Sequence, residues 1–469
     1  MDRRLFMKEG AVGLLAMAIG TSSCAAAKHL GIDTENGADW KKPKFAGKYD
    51  VVVCGGGPAG FMAAIAAARN GAKTAIIERY GFLGGMATTG YVAPISEFAF
   101  KGERVIGGLP WEFVKRLEEL GGAKIEMPKG NVDFDIELYK LVAQRMVLEA
   151  GVDLYMHSSL VGCQMADKTI EKVFIQNKSG IEELEAGVFI DATGDADLAE
   201  LCKVPMISDL KGDLQPLSFC FVLSGVDTDS ELLQRYMYHD GKHGHSECKP
   251  VRNRLLELKA AGEDIPTFGG PWFNHVMHAG SVAVNITRSA ANSTDNRNFT
   301  DVEMRLREDI YKFTDLLKRN FPEFKDCYVS STAPQAGVRE SRRIKGVHIV
   351  TAEDYINAIK YDDSVSRGAH VIDIHSSKGD NQTVIELKQA AYIPYRALIT
   401  EEYPNLLVAG RCVSSDRTAN ASLRVQASCM GLGQAAGAAA AQSIAEKCSV
   451  QKINTEKLVG TLRKWGAFV

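Results

Sequence analysis

Three groups of residues in this chain have the types and spacing to do chemistry. The first is Gly55-Gly56-Gly57-Pro58-Ala59-Gly60, a G-x-G-x-x-G string followed some 20 residues on by Glu78. Gly55 permits a tight turn, Gly57 lets the backbone approach a pyrophosphate, and Gly60 lets a helix pack closely on a strand. A helix starting there offers unpaired N–H groups and the positive end of its dipole to phosphates. Glu78 can accept hydrogen bonds from ribose hydroxyls. The motif does not distinguish one dinucleotide from another. The second group is Gly337-Val338-Arg339-Glu340-Ser341-Arg342-Arg343. Clustered arginines suit bidentate carboxylate binding, or form a solvated basic face with partners of its own. The third is Val371-Ile372-Asp373-Ile374-His375. In a strand its side chains alternate, so Asp373 and His375 share one face, where His375 can serve as a general base near neutral pH or have a structural role.

These residues need elements to position them. Val51 to Val53 read as a buried strand, the Ala- and Ile-rich run after Gly60 as a helix ended by Gly71, and Thr74 to Ile77 as a second strand. Together they make a βαβ unit. Arg79 then leads into a glycine-dense loop, Gly84-Gly85-Met86-Ala87, which suits close approach to a flat ligand or is an ordinary flexible loop. Residues 96–133 break the alternation, with a helix expected over 110–120. Asp135 precedes an amphipathic helix from Ile136 to Ala150, with Gly151 as its stop. A strand at 152–156 follows, and runs at 160–166, 170–177 and 181–185 predict a three-stranded antiparallel meander.

Val188 to Ile190 form a buried strand running into Asp191-Ala192-Thr193-Gly194-Asp195, where Gly194 allows another close backbone approach. Asp195 or Asp197 also suits a helix cap. Between Pro205 and about residue 395 the pattern changes. Strands are expected at 219–223 and 282–286, helices at 230–239 and 301–319, and a loop at 269–273. Asn405 to Arg411 is a buried strand ending at Gly410, and Ala427 to Ala441 a helix rich in Ala and Gly. The fold class expected is α/β: a Rossmann-like, doubly wound parallel sheet with an antiparallel β-meander and an inserted α+β cap. Residues 49–95, 134–205 and 396–447 would form the nucleotide domain, and 96–133 with 206–395 the cap.

A hydrophobic share of 45% and a charged share of 24% are ordinary for a soluble globular chain. A net charge of −3 without a long basic run gives no electrostatic case for nucleic acid. The ten cysteines are scattered, with no C-x-x-C and no zinc spacing, so no metal site is expected. At the N-terminus Arg3-Arg4-Leu5-Phe6-Met7-Lys8 precedes an apolar run, Ala11 to Ile19, too short to span a bilayer. This resembles a bacterial twin-arginine export signal, the alternative being a chance arginine pair before an amphipathic helix. Cleavage after Ala25-Ala26-Ala27 would release a soluble periplasmic protein; lipidation of Cys24, behind a loose lipobox, would anchor it to a membrane. Residues 1–27 are read as the signal and 28–48 as a linker.

GGGPAG, GFLGGMAT, DATGDAD, GVRESRR, IPYRAL and LLVAGR…RVQASCMGLGQAAG, in that order, resemble the bacterial FAD-dependent oxidoreductases among the glutathione-reductase-type flavoproteins with two dinucleotide-binding folds. The resemblance covers nearly the whole chain after the leader. It implies FAD as cofactor, held by Gly55, Gly57, Pro58, Ala59, Gly60, Glu78, Arg79, Gly84, Gly85, Met86 and Ala87. It extends the site to Ala192, Thr193, Gly194 and Asp195, to Gly410, Arg411 and Arg424, and to Met430, Gly431, Gly433 and Gln434, with a backbone contact from Val161 to the adenine. The start of the Gly/Ala helix would bring N–H groups and its dipole to the flavin's pyrimidine edge, or its small residues serve close packing. Arg339, Tyr395 and Arg396 would face the active site, with His375 as base. The function expected is an exported FAD-dependent oxidoreductase passing hydride from a small anionic or hydroxyl-rich substrate to flavin N5, with an electron acceptor the sequence does not identify. A lyase, isomerase or hydratase acting on saccharide-like substrates, and a non-catalytic flavin-binding protein, are the other classes. An NAD(P)-using disulfide reductase fits less well, because there is no redox C-x-x-C and no second complete G-x-G-x-x-G.

Overall fold

Buried apolar runs set the central sheet of the computed structural model, which describes residues 43–207, 214–238, 247–376 and 382–469. The export signal, Cys24 and most of the linker lie outside the described residues. Strand Lys44–Cys54 carries Val51 to Cys54 fully buried and pairs in parallel with Thr74–Ile77, which pairs in parallel with Asp153–Tyr155. On its other side lies Gly180–Asp191. That strand serves two layers. Its first half is antiparallel to Thr169–Asn177, itself paired with Ser159–Ala166, while Phe189 to Asp191 run parallel to Leu406–Val408. The runs expected at 181–185 and 188–191 are therefore one twelve-residue strand. The doubly wound parallel sheet with its meander is present.

Helix Pro58–Arg69 crosses between the first two strands, and helix Gln426–Glu446 packs on it. This contact dictates small residues. A Cβ on Gly433 would collide with the carbonyl oxygen of Ala59, and one on Gly437 with that of Ala63. The close-packing reading of the Gly/Ala helix holds along this length. Each fully buried Val, Ile or Phe around it, such as Val53, Ile65 and Phe61, contributes about 1.5–3 kcal/mol by leaving water.

A second apolar core lies under a four-stranded antiparallel sheet ordered Phe268–His275, Ser281–Thr287, Phe221–Ser224, Tyr328–Thr332. Helix Asn296–Asn320 covers it, starting five residues before the expected Asp301 because Asp295 caps the N–H groups of Arg297 and Asn298. Gly269 to Phe273, expected as a loop, is strand. Its register shifts between Phe268 and Trp272, so the Gly-Gly-Pro run is absorbed as an irregularity and does not end the element. This second core draws chiefly on residues 217–338. Phe98, Phe113, Val132 and Phe134, from the segment 96–133, pack instead with the first core, as do Tyr355, Val365, Ile372 and Ile393.

Candidate cofactor and active site

A cavity of about 450 Å³ opens between the carboxyl ends of the parallel strands and the second sheet. One wall is built from backbone. Gly55 has φ +99°, and a Cβ there would sit 2.5 Å from the carbonyl oxygen of Ala192, so only glycine fits the turn. Gly60 is held by the same turn, since its Cβ would collide with the Gly55 carbonyl. Behind the turn Asp191, fully buried, fastens the Ala192-Thr193-Gly194 segment. One carboxylate oxygen accepts from Thr193 N and Oγ1 at 3.0 and 2.7 Å, the other from Ala199 N at 2.9 Å. Burial lifts its pKa above the ordinary value, against the pull of these donors.

Glu78 lines this wall with its carboxylate already aligned. Gly56 N donates to Oε2 at 2.7 Å and Tyr80 N to Oε1 at 2.9 Å. Each oxygen keeps a further lone pair for a hydroxyl donor. Burial raises the pKa of Glu78, and the two backbone donors oppose it. Arg79 donates to Gln335 at 2.7 Å, and Tyr80 Oη also reaches Gln335.

Of the residues the sequence assigns to the cofactor, Gly55, Gly57, Pro58, Ala59, Glu78, Arg79, Gly85, Met86, Ala192, Thr193, Gly194, Gly410, Arg411 and Arg424 line the cavity. The others fall behind it or away from it. Gly60, Gly84 and Ala87 support the turn and the short helix Met86–Thr89. Asp195 accepts from Arg411 Nη2 at 2.9 Å and holds that guanidinium from behind. Burial pushes its pKa up, and Arg411, Ser341 and Arg79 together more than reverse this, leaving it below the ordinary value. Val161, expected to offer a backbone contact, lies on the meander beside a register shift, 42% exposed and outside the cavity lining. Met430, Gly431, Gly433 and Gln434 are buried in their helix beyond Cys429, where it leaves the cavity; Gln434 instead accepts from Leu109 N at 2.6 Å. The cavity meets this helix at Arg424, Val425, Gln426 and Cys429.

The opposite wall is built from side chains. His375 Nε2 lies 3.0 Å from Asp373 Oδ2, as alternation along strand Ile372–His375 requires, and the ring stands edge-on to Trp272. Burial and the nearby Arg339 push the His375 pKa down to about 3, against the pull of Asp373. Asp373 stays well below the usual carboxylate range despite burial, because His375 and Arg424 stabilise its charge. At neutral pH the pair is therefore carboxylate and neutral imidazole. Arg339 donates through Nη1 to Pro216 O at 2.6 Å and Ser218 Oγ at 2.7 Å. Burial, reinforced by Arg288, lowers its pKa to about 9, so it keeps its charge at neutral pH.

The other two arginines of that cluster have partners elsewhere. Arg342 pairs with Asp197 at 2.5 Å, and Arg343 donates to Ser415 O at 3.0 Å. Tyr395 and Arg396 are not at the cavity. Tyr395 is buried with its hydroxyl donating to Val450 O at 2.8 Å, and Arg396 is half-exposed and paired with Asp363 at 3.0 Å. Both sit on a 3-10 turn whose direction the local sequence does not reveal.

One pair at the cavity was missed. His370 Nδ1 lies 3.5 Å from Glu97 Oε1, which Lys129 also approaches at 3.4 Å, and all three line the cavity. His370-x-x-Asp373-x-His375 was the available signal. Glu97 lies 273 residues before His370, in the irregular segment, and carried none.

A family model described as FAD dependent oxidoreductase matches residues 50–462. The chain belongs to that family. It is an FAD-dependent oxidoreductase, and this cavity fits the cofactor in two respects. The Gly55 and Ala192–Gly194 backbones leave a cradle that a side chain would fill. Arg424 Nη1 and Gln426 Oε1, both on lining residues, are buried without a partner among the described residues, a donor and an acceptor left for a ligand.

Among curated relatives, the digeranylgeranylglycerophospholipid reductase of Methanocaldococcus jannaschii is 28% identical over 200 residues, 40% of this chain and 48% of that protein. The dihydrolipoyl dehydrogenase of Trypanosoma brucei brucei is 65% identical over 37 residues, 8% of each chain. The chain spans about half the length, or less, of these relatives. Among solved structures, a geranylgeranyl bacteriochlorophyll reductase-like protein from Thermoplasma acidophilum aligns over 90% of this chain and 87% of its own, with a TM-score of 0.45 and 15% identity.

Proposed function

We propose that this flavoenzyme oxidises a small, anionic or hydroxyl-rich organic substrate at the side-chain wall of the cavity, where bound FAD would serve as hydride acceptor. The observation that carries the reading is the Asp373–His375 pair facing the same cavity as Arg339 and the glycine cradle. Gly55, Gly57, Glu78, Arg79 and Ala192–Gly194 would hold the dinucleotide end, and Arg424 with Gln426 the ring end. Bound there, FAD supplies the two-electron acceptor.

The remaining work belongs to the chain. Asp373 engages Nε2 of His375 and fixes the ring, leaving Nδ1 to take a proton from the substrate. With Nε2–H turned towards Asp373, Nδ1 carries the lone pair that faces a proton donor. Arg339 is fastened through Nη1, so its other donors can orient a carboxylate or hydroxyl. Anaerobic mixing with hydroxy acids, sugars and amines tests this. Bleaching of the flavin by a hydroxy acid or sugar is expected. Conversion of a saccharide with no net redox change would overturn the reading in favour of a lyase or isomerase.

Export by the twin-arginine route, with release to the periplasm or anchoring at Cys24, is part of the same proposal. Its support is Arg3-Arg4 ahead of the short apolar run and the small residues at 25–27. Replacing both arginines by lysine should leave the protein in the cytoplasmic fraction; unchanged fractionation contradicts export by this route.

A further inference from the structure

Two thiols meet where strand Ser159–Ala166 packs against helix Asp197–Leu201. The Sγ atoms of Cys163 and Cys202 are 3.5 Å apart. No other two cysteines among the described residues approach within hydrogen-bonding reach. Cys163 is partly exposed, and Cys202, the residue that ends the helix, is buried. We propose that Cys163 and Cys202 are a redox-active pair that closes to an intramolecular disulfide by exchange with a soluble disulfide such as oxidised glutathione.

The geometry needs little change. Bonding distance is about 1.5 Å closer than the present Sγ–Sγ separation. The chemistry has a defined order. The hydrogen bond from Cys202 lowers the pKa of Cys163 to about 7, against burial, while the same bond and burial push Cys202 up. Cys163 is thus the attacking thiolate. It bonds to one sulfur of the incoming disulfide and expels the other as a thiolate, giving a mixed disulfide. Cys202 then gives its proton to the medium and displaces the second glutathione sulfur. The two protein thiols are oxidised, the incoming disulfide is reduced to two thiols, and the two protons lost by the protein end on them.

The bond would have a consequence for the cofactor wall. Helix Asp197–Leu201 follows directly on Ala192–Gly194 and is tied to it through Asp191, which bonds Thr193 at one end and Ala199 at the other. Closing the pair would staple this segment to the meander.

The test uses the full chain loaded with FAD and equilibrated with oxidised glutathione, then denatured, alkylated and digested. A cross-linked peptide joining Cys163 to Cys202 is expected, with two fewer alkylated thiols per chain, reversal by dithiothreitol, and a rise in melting temperature. Cys163→Ser should show neither the cross-link nor the rise. Full alkylation of both cysteines in the wild type overturns the proposal, and so does a lasting glutathione adduct on Cys163 with Cys202 alkylated. Because the cross-link is read in the wild type, a poorly folding variant does not cloud the result.

Discussion

The two walls of the cavity are made differently. The cofactor wall is backbone at tight turns, set by glycines that cannot carry a side chain and by buried carboxylates, Asp191 and Glu78, that hold N–H groups in place. The facing wall is side chains from three segments: His375 is held by Asp373 on its own strand and by Trp272, and Arg339 by Pro216 and Ser218. A backbone wall tolerates no change of shape. A side-chain wall can be re-specified one residue at a time.

Replacing Gly55 with valine should show the intolerance of the first wall. The substitution adds strain at φ +99° to a collision with Ala192 O, at a cost of roughly 2–6 kcal/mol. Purified protein should be colourless or fail to accumulate, as read by FAD absorbance per chain; full FAD content would break the comparison. Arg339→Gln should do the reverse. FAD content should hold while KM rises about 10- to 100-fold, the size of a lost charge-assisted bond, with a smaller change in kcat.

A third expectation concerns pH. The folded pKa of His375, about 3, lies below the ordinary 6.5. As pH falls below about 6.5 the unfolded chain takes up a proton that the folded chain refuses. The contribution of this residue to stability is therefore intact above about pH 6.5 and is lost progressively towards pH 3. Urea midpoints measured across that range should fall more steeply for the wild type than for His375→Gln; parallel curves would mean an ordinary histidine.

The smallest effects belong to residues assigned by resemblance and found away from the cavity. Tyr395→Phe should cost about 1–2 kcal/mol in thermal unfolding, by leaving the Val450 carbonyl unpaired, with kcat unchanged. Arg396→Ala removes a half-exposed ion pair, worth at most about 1 kcal/mol, and should change neither FAD content nor rate. A large fall in kcat for either would draw these residues back into the site.

The difference between the walls also explains what the sequence could disclose. Gly55 to Gly60, Glu78 and Asp191 to Gly194 declare themselves because a strand, a turn and a helix start are contiguous, so their geometry is local. Asp373 and His375 were legible for the same reason, through alternation on one strand. Where a chain turns in three dimensions is not local. Tyr395 and Arg396 stand beside a strand that returns to the core, and the Gly/Ala helix meets the cavity a turn earlier than its glycines suggest, because those glycines serve the contact with Ala59 and Ala63. Nor could Glu97 be paired with His370, since only tertiary packing brings them together.

In the proposed mechanism the backbone wall holds FAD while His375 on the facing wall takes the substrate's proton. The most direct test is anaerobic stopped-flow reduction of His375→Gln, with FAD per chain measured on the same sample and a substrate that bleaches the wild type. FAD should remain at the wild-type level and the reduction rate should fall by about 10²- to 10⁴-fold. An unchanged rate with full FAD content would contradict the assignment.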